Sequence, residues 1–194
     1  MPEHYIDQNV AVASRLLIVL SILFGVLFFA SNSNELLKQG VLTTDAFAAL
    51  QAEADCRADE LEEEGISLRE CELMLVQVEI ALESSPDWFR SVQQILSASG
   101  IAAALLSIGL ALNLSSNSGS SSRFSLRILV WVLGGLVVLD SVMFIAALQT
   151  GPLLRAQYLW PLLLWFFIHL SLALGARTIS KNINDKLSYP AGKF

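Results

Sequence analysis

Histidine is nearly missing from this chain, with two residues in 194, and cysteine is no more frequent. His4 lies in the N-terminal tail and His169 in an apolar stretch, so a bis-histidine haem held inside one chain is excluded. The two cysteines, Cys56 and Cys71, make neither a Cys-x-x-Cys redox motif nor a zinc-ligand pattern. The chain has no glycine-rich phosphate loop and no nucleophile beside a base. These gaps leave no cofactor, no metal site and no catalytic centre to expect, and the chain reads as a non-enzyme. With a net charge of −6, no nucleic-acid partner is expected either.

Charge is also scarce. Only 15% of residues are charged while 54% are apolar, which is less polar surface than a soluble domain of this length requires. The excess lies in four windows, residues 10–30, 95–114, 128–148 and 158–176. Each is near the roughly 20 residues that a helix needs to cross hydrocarbon. The expected fold is an all-α membrane protein, a bundle of four transmembrane helices. The first window reads as an uncleaved anchor, because a signal peptide cut after Ala30 would put Phe28 where a small residue is needed.

Positive charge in the short segments sets the expected orientation. Residues 115–127, a Ser-rich loop, carry Arg123 and Arg127 without an acid, and the basic tail at 177–194 carries Arg177, Lys181, Lys186 and Lys193. The short loop at 149–157 has Arg155 alone. Residues 1–9 and 177–194 are therefore expected in the cytoplasm and residues 31–94 outside it, in a cell or inner membrane. The tail is basic enough to meet anionic lipid headgroups.

Residues 31–94 hold 14 of the 18 acidic residues and both cysteines. They read as an extracytoplasmic helical hairpin between the first and second spans. Thr43 caps a first helix with Leu42 and Phe47 as a hydrophobic staple, and Gly65 stops it. Ser67 and Glu70 form a capping box for a second helix, along which Leu68, Cys71, Leu75, Val78 and Leu82 recur at steps of three and four. Leu73, Val76 and Ile80 widen that apolar face, and Leu68, Leu75, Val78 and Leu82 are the expected partner-contact residues. A turn centred on Gly65 sets Cys71 against position 59. A turn between Glu63 and Glu64 sets it against Cys56, and a Cys56–Cys71 disulfide closing that loop contributes about 3 kcal/mol on the chain-entropy model. Residues 59–64 lack the spacing of a calcium loop and read as a solvated helix end. Pro86 suits a first helical position, with Trp88 and Phe89 at the membrane interface.

Polar residues inside the apolar windows are the strongest functional signals. Asp140 sits in the third window and His169 in the fourth. A charged aspartate at a helix centre costs about 2.5–3.5 kcal/mol, so Asp140 is protonated, paired or facing a hydrated cavity. Counted along the helices, the two residues differ in depth by about 6–8 Å, and a direct bond requires tilt or a bridging water. In the second window Ser99, Ala103, Ser107 and Ala111 form a small-residue stripe for close helix packing, with Gly134-Gly135, Ser171 and Gly175 as candidate facing notches.

The layout resembles that of claudins, but the Trp-Gly-Leu-Trp pattern of their first loop is missing, and so is the Cys-Cys-Gly motif of tetraspanins. The expectation is a non-catalytic integral membrane protein acting through protein–protein contacts: an accessory subunit, assembly factor or membrane-state sensor. It would meet membrane lipid and act as a homo-oligomer or as a subunit of a larger complex. The alternative is an oligomeric channel or ion-translocating protein with Asp140 lining the path.

Overall fold

The computed structural model describes residues 2–42, 67–73, 76, 86–116 and 120–188. Four long helices account for nearly all of them: α1 (Pro2–Leu42), α2 (Asp87–Ser116), α3 (Ser120–Leu148) and α4 (Pro152–Ser188). No strand occurs among the described residues. Each helix contains a stretch long and apolar enough to cross a membrane: Ala11–Lys38, Trp88–Ser116, Ser122–Leu148 and Arg155–Asp185. The chain is thus an integral membrane protein with four candidate spans, and all of its described regular structure is helical.

Each helix packs on its sequence neighbour, and α4 closes the ring against α1. Glycine sets the approach of α1 to α2. A Cβ on Gly25 would lie 2.7 Å from Ile108 Cγ1, and one on Gly100 would lie 3.0 Å from Asn32 Oδ1. With Glu35 also meeting Gln93, these pairs place α1 antiparallel to α2. At the other end of the bundle, Ser125 donates from α3 to Asn113 Oδ1 of α2 at 3.3 Å. The bundle therefore has a terminal end, with both chain termini and the α2–α3 connection, and an insertion end, with the α1–α2 insertion and the α3–α4 turn. That turn is tight: Thr150 Oγ1 donates to the Ala147 carbonyl, Arg155 donates to the Thr150 carbonyl, and Pro152 opens α4 where its missing N–H is no loss.

The helices are apolar on nearly every side, so hydrophobicity does not distinguish their inner faces. Some of the largest side chains point outward: Trp131 is 81% exposed and Trp160 76%. Small and polar ones point inward, with Ser21, Gln93, Ser97, Ser107, Asp140 and His169 all buried. The interior has two compartments. In the terminal half Leu17, Leu126, Leu129, Leu133, Leu172 and Ile179 pack into an apolar plug. In the insertion half Phe28, Phe89 and Met143 share the interior with buried polar groups, among them Gln93, Ser97, Asp140 and Thr150. The α1–α4 seam is the loosest and leaves an apolar groove of about 620 Å³ along Leu16, Leu20, Leu172 and Gly175.

Several local expectations change. α1 continues past Ala30 to Leu42, carrying Glu35 on a helix. Helix also enters the Ser-rich segment from both sides, to Ser116 and from Ser120, where Ser116 bonds back to the Asn113 carbonyl. Pro86 stands one position ahead of α2 and accepts the Phe89 N–H at 2.9 Å. Phe89 is buried against Tyr158, with ring centroids 6.1 Å apart, while Trp88 alone stays exposed. Gly134 and Gly135 face open space, because their side of α3 is not the one that packs.

In the insertion, residues 68–73 are helical and start on the expected capping box. Ser67 N and Oγ donate to Glu70 Oε2 at 3.0 and 2.7 Å, and Glu70 N donates to Ser67 Oγ at 3.3 Å. These bonds hold the exposed Glu70 carboxyl below its usual range. Leu68, Leu73 and Val76 are exposed. The rest of the expected hairpin, with Cys56, Leu75, Val78 and Leu82, lies outside the described residues.

Candidate functional site

Asp140 and His169 meet directly. Asp140 Oδ2 and His169 Nδ1 are 2.6 Å apart, with both side chains almost wholly buried. The ring N–H donates to the carboxylate when the aspartate is ionised. The helix register brings them level: Arg127, Val130 and Trp131 of α3 share a cleft with Asn184, Lys181 and Arg177 of α4, and the same antiparallel pairing carried along the helices sets Asp140 opposite His169.

Aromatic rings hold the imidazole in place. Trp165, one turn earlier on α4, stacks on His169 with centroids 5.6 Å apart and planes 19° apart. Phe28 of α1 meets the His169 ring edge-on at 4.6 Å and Trp165 at 4.9 Å. Three helices thereby fix one ring, which leaves His169 little freedom to leave the carboxylate.

The second carboxylate oxygen is different. Asp140 Oδ1 is buried and has no hydrogen-bond partner, and neither has Ser97 Oγ on α2. An unmatched buried polar atom costs about 1–3 kcal/mol, so such atoms normally face a water or a ligand. Both residues line a cavity of about 80 Å³ to which all four helices contribute. Its other walls include Asn32, Glu35, Gln93 and Tyr158, and it has room for several water molecules.

Toward the insertion end a second polar knot ties three helices. Glu35 Oε1 of α1 accepts from Gln93 Nε2 of α2 at 2.6 Å and from Tyr158 Oη of α4 at 2.9 Å. Asn32 turns its amide nitrogen back to the Phe28 carbonyl at 2.9 Å. Pro161, inside α4, lines the same cavity and has no N–H to give the preceding turn. A polar column thus runs from Glu35 to Asp140, and beyond His169 it meets the leucine plug.

Of the small-residue positions, Ser107 and Ala111 are buried, Ala103 is half-buried, and Ser99 is exposed with its hydroxyl bonded to the Ile95 carbonyl. The face of α2 that enters the bundle is Gln93, Ser97, Gly100, Ala104, Ser107 and Ala111, at alternating steps of four and three. Sequence reasoning passed over Glu35, Gln93, Ser97 and Tyr158. Their signal was helical spacing, Phe28–Asn32–Glu35 on α1 and Gln93–Ser97–Gly100 on α2. Among the described residues no group of three or more His, Cys, Asp or Glu is placed to hold a metal ion. No family model matches the chain, and neither a curated protein nor a solved structure does.

Proposed function

We propose that the chain is a non-catalytic integral membrane protein that works through contacts with other proteins, as a membrane-state sensor within the broader class of accessory subunits and assembly factors. The sensed quantity is the proton. The observation that carries this reading is the buried Asp140–His169 pair, whose aspartate lines an internal cavity shared with Asn32, Glu35, Gln93, Ser97 and Tyr158. The pair is neutral overall whether the aspartate is ionised beside an imidazolium or protonated beside a neutral ring, and it changes net charge only by gaining or losing a proton. In a low-dielectric interior that change is large enough to move helices. Glu35 and Tyr158 are the other titratable groups on the cavity; α2 contributes Gln93 and Ser97, which do not titrate near neutral pH.

The sign of the charge bias supports an orientation. Arg123, Arg127, Arg177 and Lys181 all lie at the terminal end, a bias that supports a cytoplasmic terminal end with the cavity toward the outside. Exposed Leu68, Leu73 and Val76 in the insertion support contact with a partner protein on that outer side. A Cys56–Cys71 disulfide there would brace the contact, and either self-association or a larger complex fits it.

A second reading, an oligomeric ion-translocating protein with Asp140 on the path, draws on the unpartnered Oδ1. The leucine plug weighs against a path through a single bundle. One experiment separates the two. Full-length protein in vesicles, with Trp165 as its only tryptophan, is titrated while Trp165 fluorescence is read, since an imidazolium stacked on an indole quenches it. A pH-dependent quench lost in Asp140→Asn, without proton leak across the vesicle, supports the sensor. A flat titration overturns it, and a leak abolished by Asp140→Asn favours translocation.

A further inference from the structure

We infer that the terminal end of the α3–α4 seam is a binding site for the phosphate group of an anionic phospholipid. Arg127 on α3 and Arg177 and Lys181 on α4 line one cleft of about 400 Å³, with Ser180 and the carboxylate of Asp185. None of the three cations forms an ion pair with a described residue. Among the described lining residues the cleft carries three positive charges against one negative, an excess of positive charge. Arginine pairs that converge on one point suit the oxygens of a phosphate, which a guanidinium can grip through two N–H groups at once.

Its depth selects a lipid over a soluble anion. Arg127 directly precedes Ile128 and the most apolar stretch of α3, and Arg177 directly follows Ala176 at the end of that of α4, a position that suits the headgroup level. Trp131, one turn deeper on α3, lines the same cleft and is 81% exposed. A tryptophan at that depth lies against the glycerol and first acyl carbons of a lipid whose phosphate sits on the arginines. A basic cleft between two spans with an exposed indole beneath it has the polarity profile of a phospholipid, charged at the top and apolar below.

The test uses Trp131 as the reporter. Full-length protein carrying Trp88→Phe, Trp160→Phe and Trp165→Phe is placed in phosphatidylcholine vesicles with a minority of phosphatidylglycerol, one or the other brominated at equal mole fraction. Brominated phosphatidylglycerol is expected to quench Trp131 more strongly than brominated phosphatidylcholine. Neutralising Arg127, Arg177 or Lys181 to Gln is expected to reduce that preference about fivefold per cation, the factor that matches about 1 kcal/mol for each basic residue near a membrane surface. Asp185→Asn, which leaves the cations in place, is expected to increase it, and serves if the neutralised variants do not fold. Equal quenching by the two lipids, or a preference unmoved by both kinds of substitution, overturns the site. Excess inorganic phosphate is expected to leave the preference intact; its loss would assign the cleft to a free anion and overturn the lipid.

Discussion

His169 and Asp140, 29 positions apart in sequence, share a 2.6 Å contact beside an internal cavity that Asp140 lines, and Trp165 lies flat against the histidine. A packing role alone would leave both carboxylate oxygens satisfied. Here one oxygen binds the ring and the other faces the cavity. That asymmetry is what a titrating carboxylate would need and what a simple interhelical fastener would not.

Removing either partner leaves the other as a buried polar group. Because the survivor can shed or take a proton, the cost is that of an unmatched neutral group, about 1–3 kcal/mol, and not that of a stranded charge. Asp140→Ala and His169→Ala are each expected to lose that much in reversible unfolding in mild detergent. Replacing both with Leu recovers most of the loss. Additive losses in the double variant would show that the two residues do not act as a pair.

Tyr158→Phe removes one of the two bonds that close the outer knot at Glu35. Interhelical hydrogen bonds in membranes contribute about 0.6 kcal/mol, so the variant folds. Its effect is on access: a hydrophilic carbodiimide that modifies protonated carboxyls is expected to reach Asp140 faster in Tyr158→Phe than in the parent. Mass spectrometry of the labelled peptide decides this. Unchanged labelling would mean that the knot does not guard the cavity.

Gly25 and Gly134 make a matched pair. At Gly25 a methyl group meets Ile108, and Gly25→Ala is expected to destabilise by about 1–3 kcal/mol through overpacking. At Gly134 nothing lies in the way, so Gly134→Ala gains up to about 1 kcal/mol of helix propensity. Thermal unfolding of the two variants in one detergent checks the order. Equal behaviour would contradict the close α1–α2 approach.

The capping box in the insertion answers to pH in one direction. Glu70 binds the Ser67 N–H and hydroxyl as a carboxylate, and its folded value is lowered. Its contribution is therefore complete above the ordinary carboxylate range and is lost as pH falls through the lowered folded value. The protection of the Glu70 and Cys71 amides, measured against their intrinsic exchange rate at each pH, is expected to fall in that acid range in the parent. Ser67→Ala, which removes the cap, brings faster exchange at all pH, as the loss of a cap of about 0.5–2 kcal/mol requires.

The four spans were legible in the sequence because hydrocarbon thickness imposes a length that little else in a protein imitates. Asp140 and His169 were legible for a related reason, since an ionisable residue inside an apolar run is conspicuous. Glu35 and Tyr158 were not, because they stand at the edges of their windows, where a polar residue reads as the start of a loop. Phe28 and Trp165 were hidden by the reverse effect, as an aromatic ring in an apolar run carries no mark of which way it faces. The pair's depth offset follows from setting the ends of the two apolar windows level, whereas the helices pack several residues out of that register.

Proton binding at Asp140 from the insertion side is the centre of this account, and the infrared carboxyl band reads it most directly. Protein oriented in vesicles is held at constant pH on the terminal side while the pH on the insertion side is stepped between about 4 and 9, the range that brackets ordinary carboxyl and imidazole titration. The account predicts a protonated-carboxyl band that rises and falls with the insertion-side pH and is missing in Asp140→Asn. A band that ignores that pH, or that follows the terminal side instead, would contradict it.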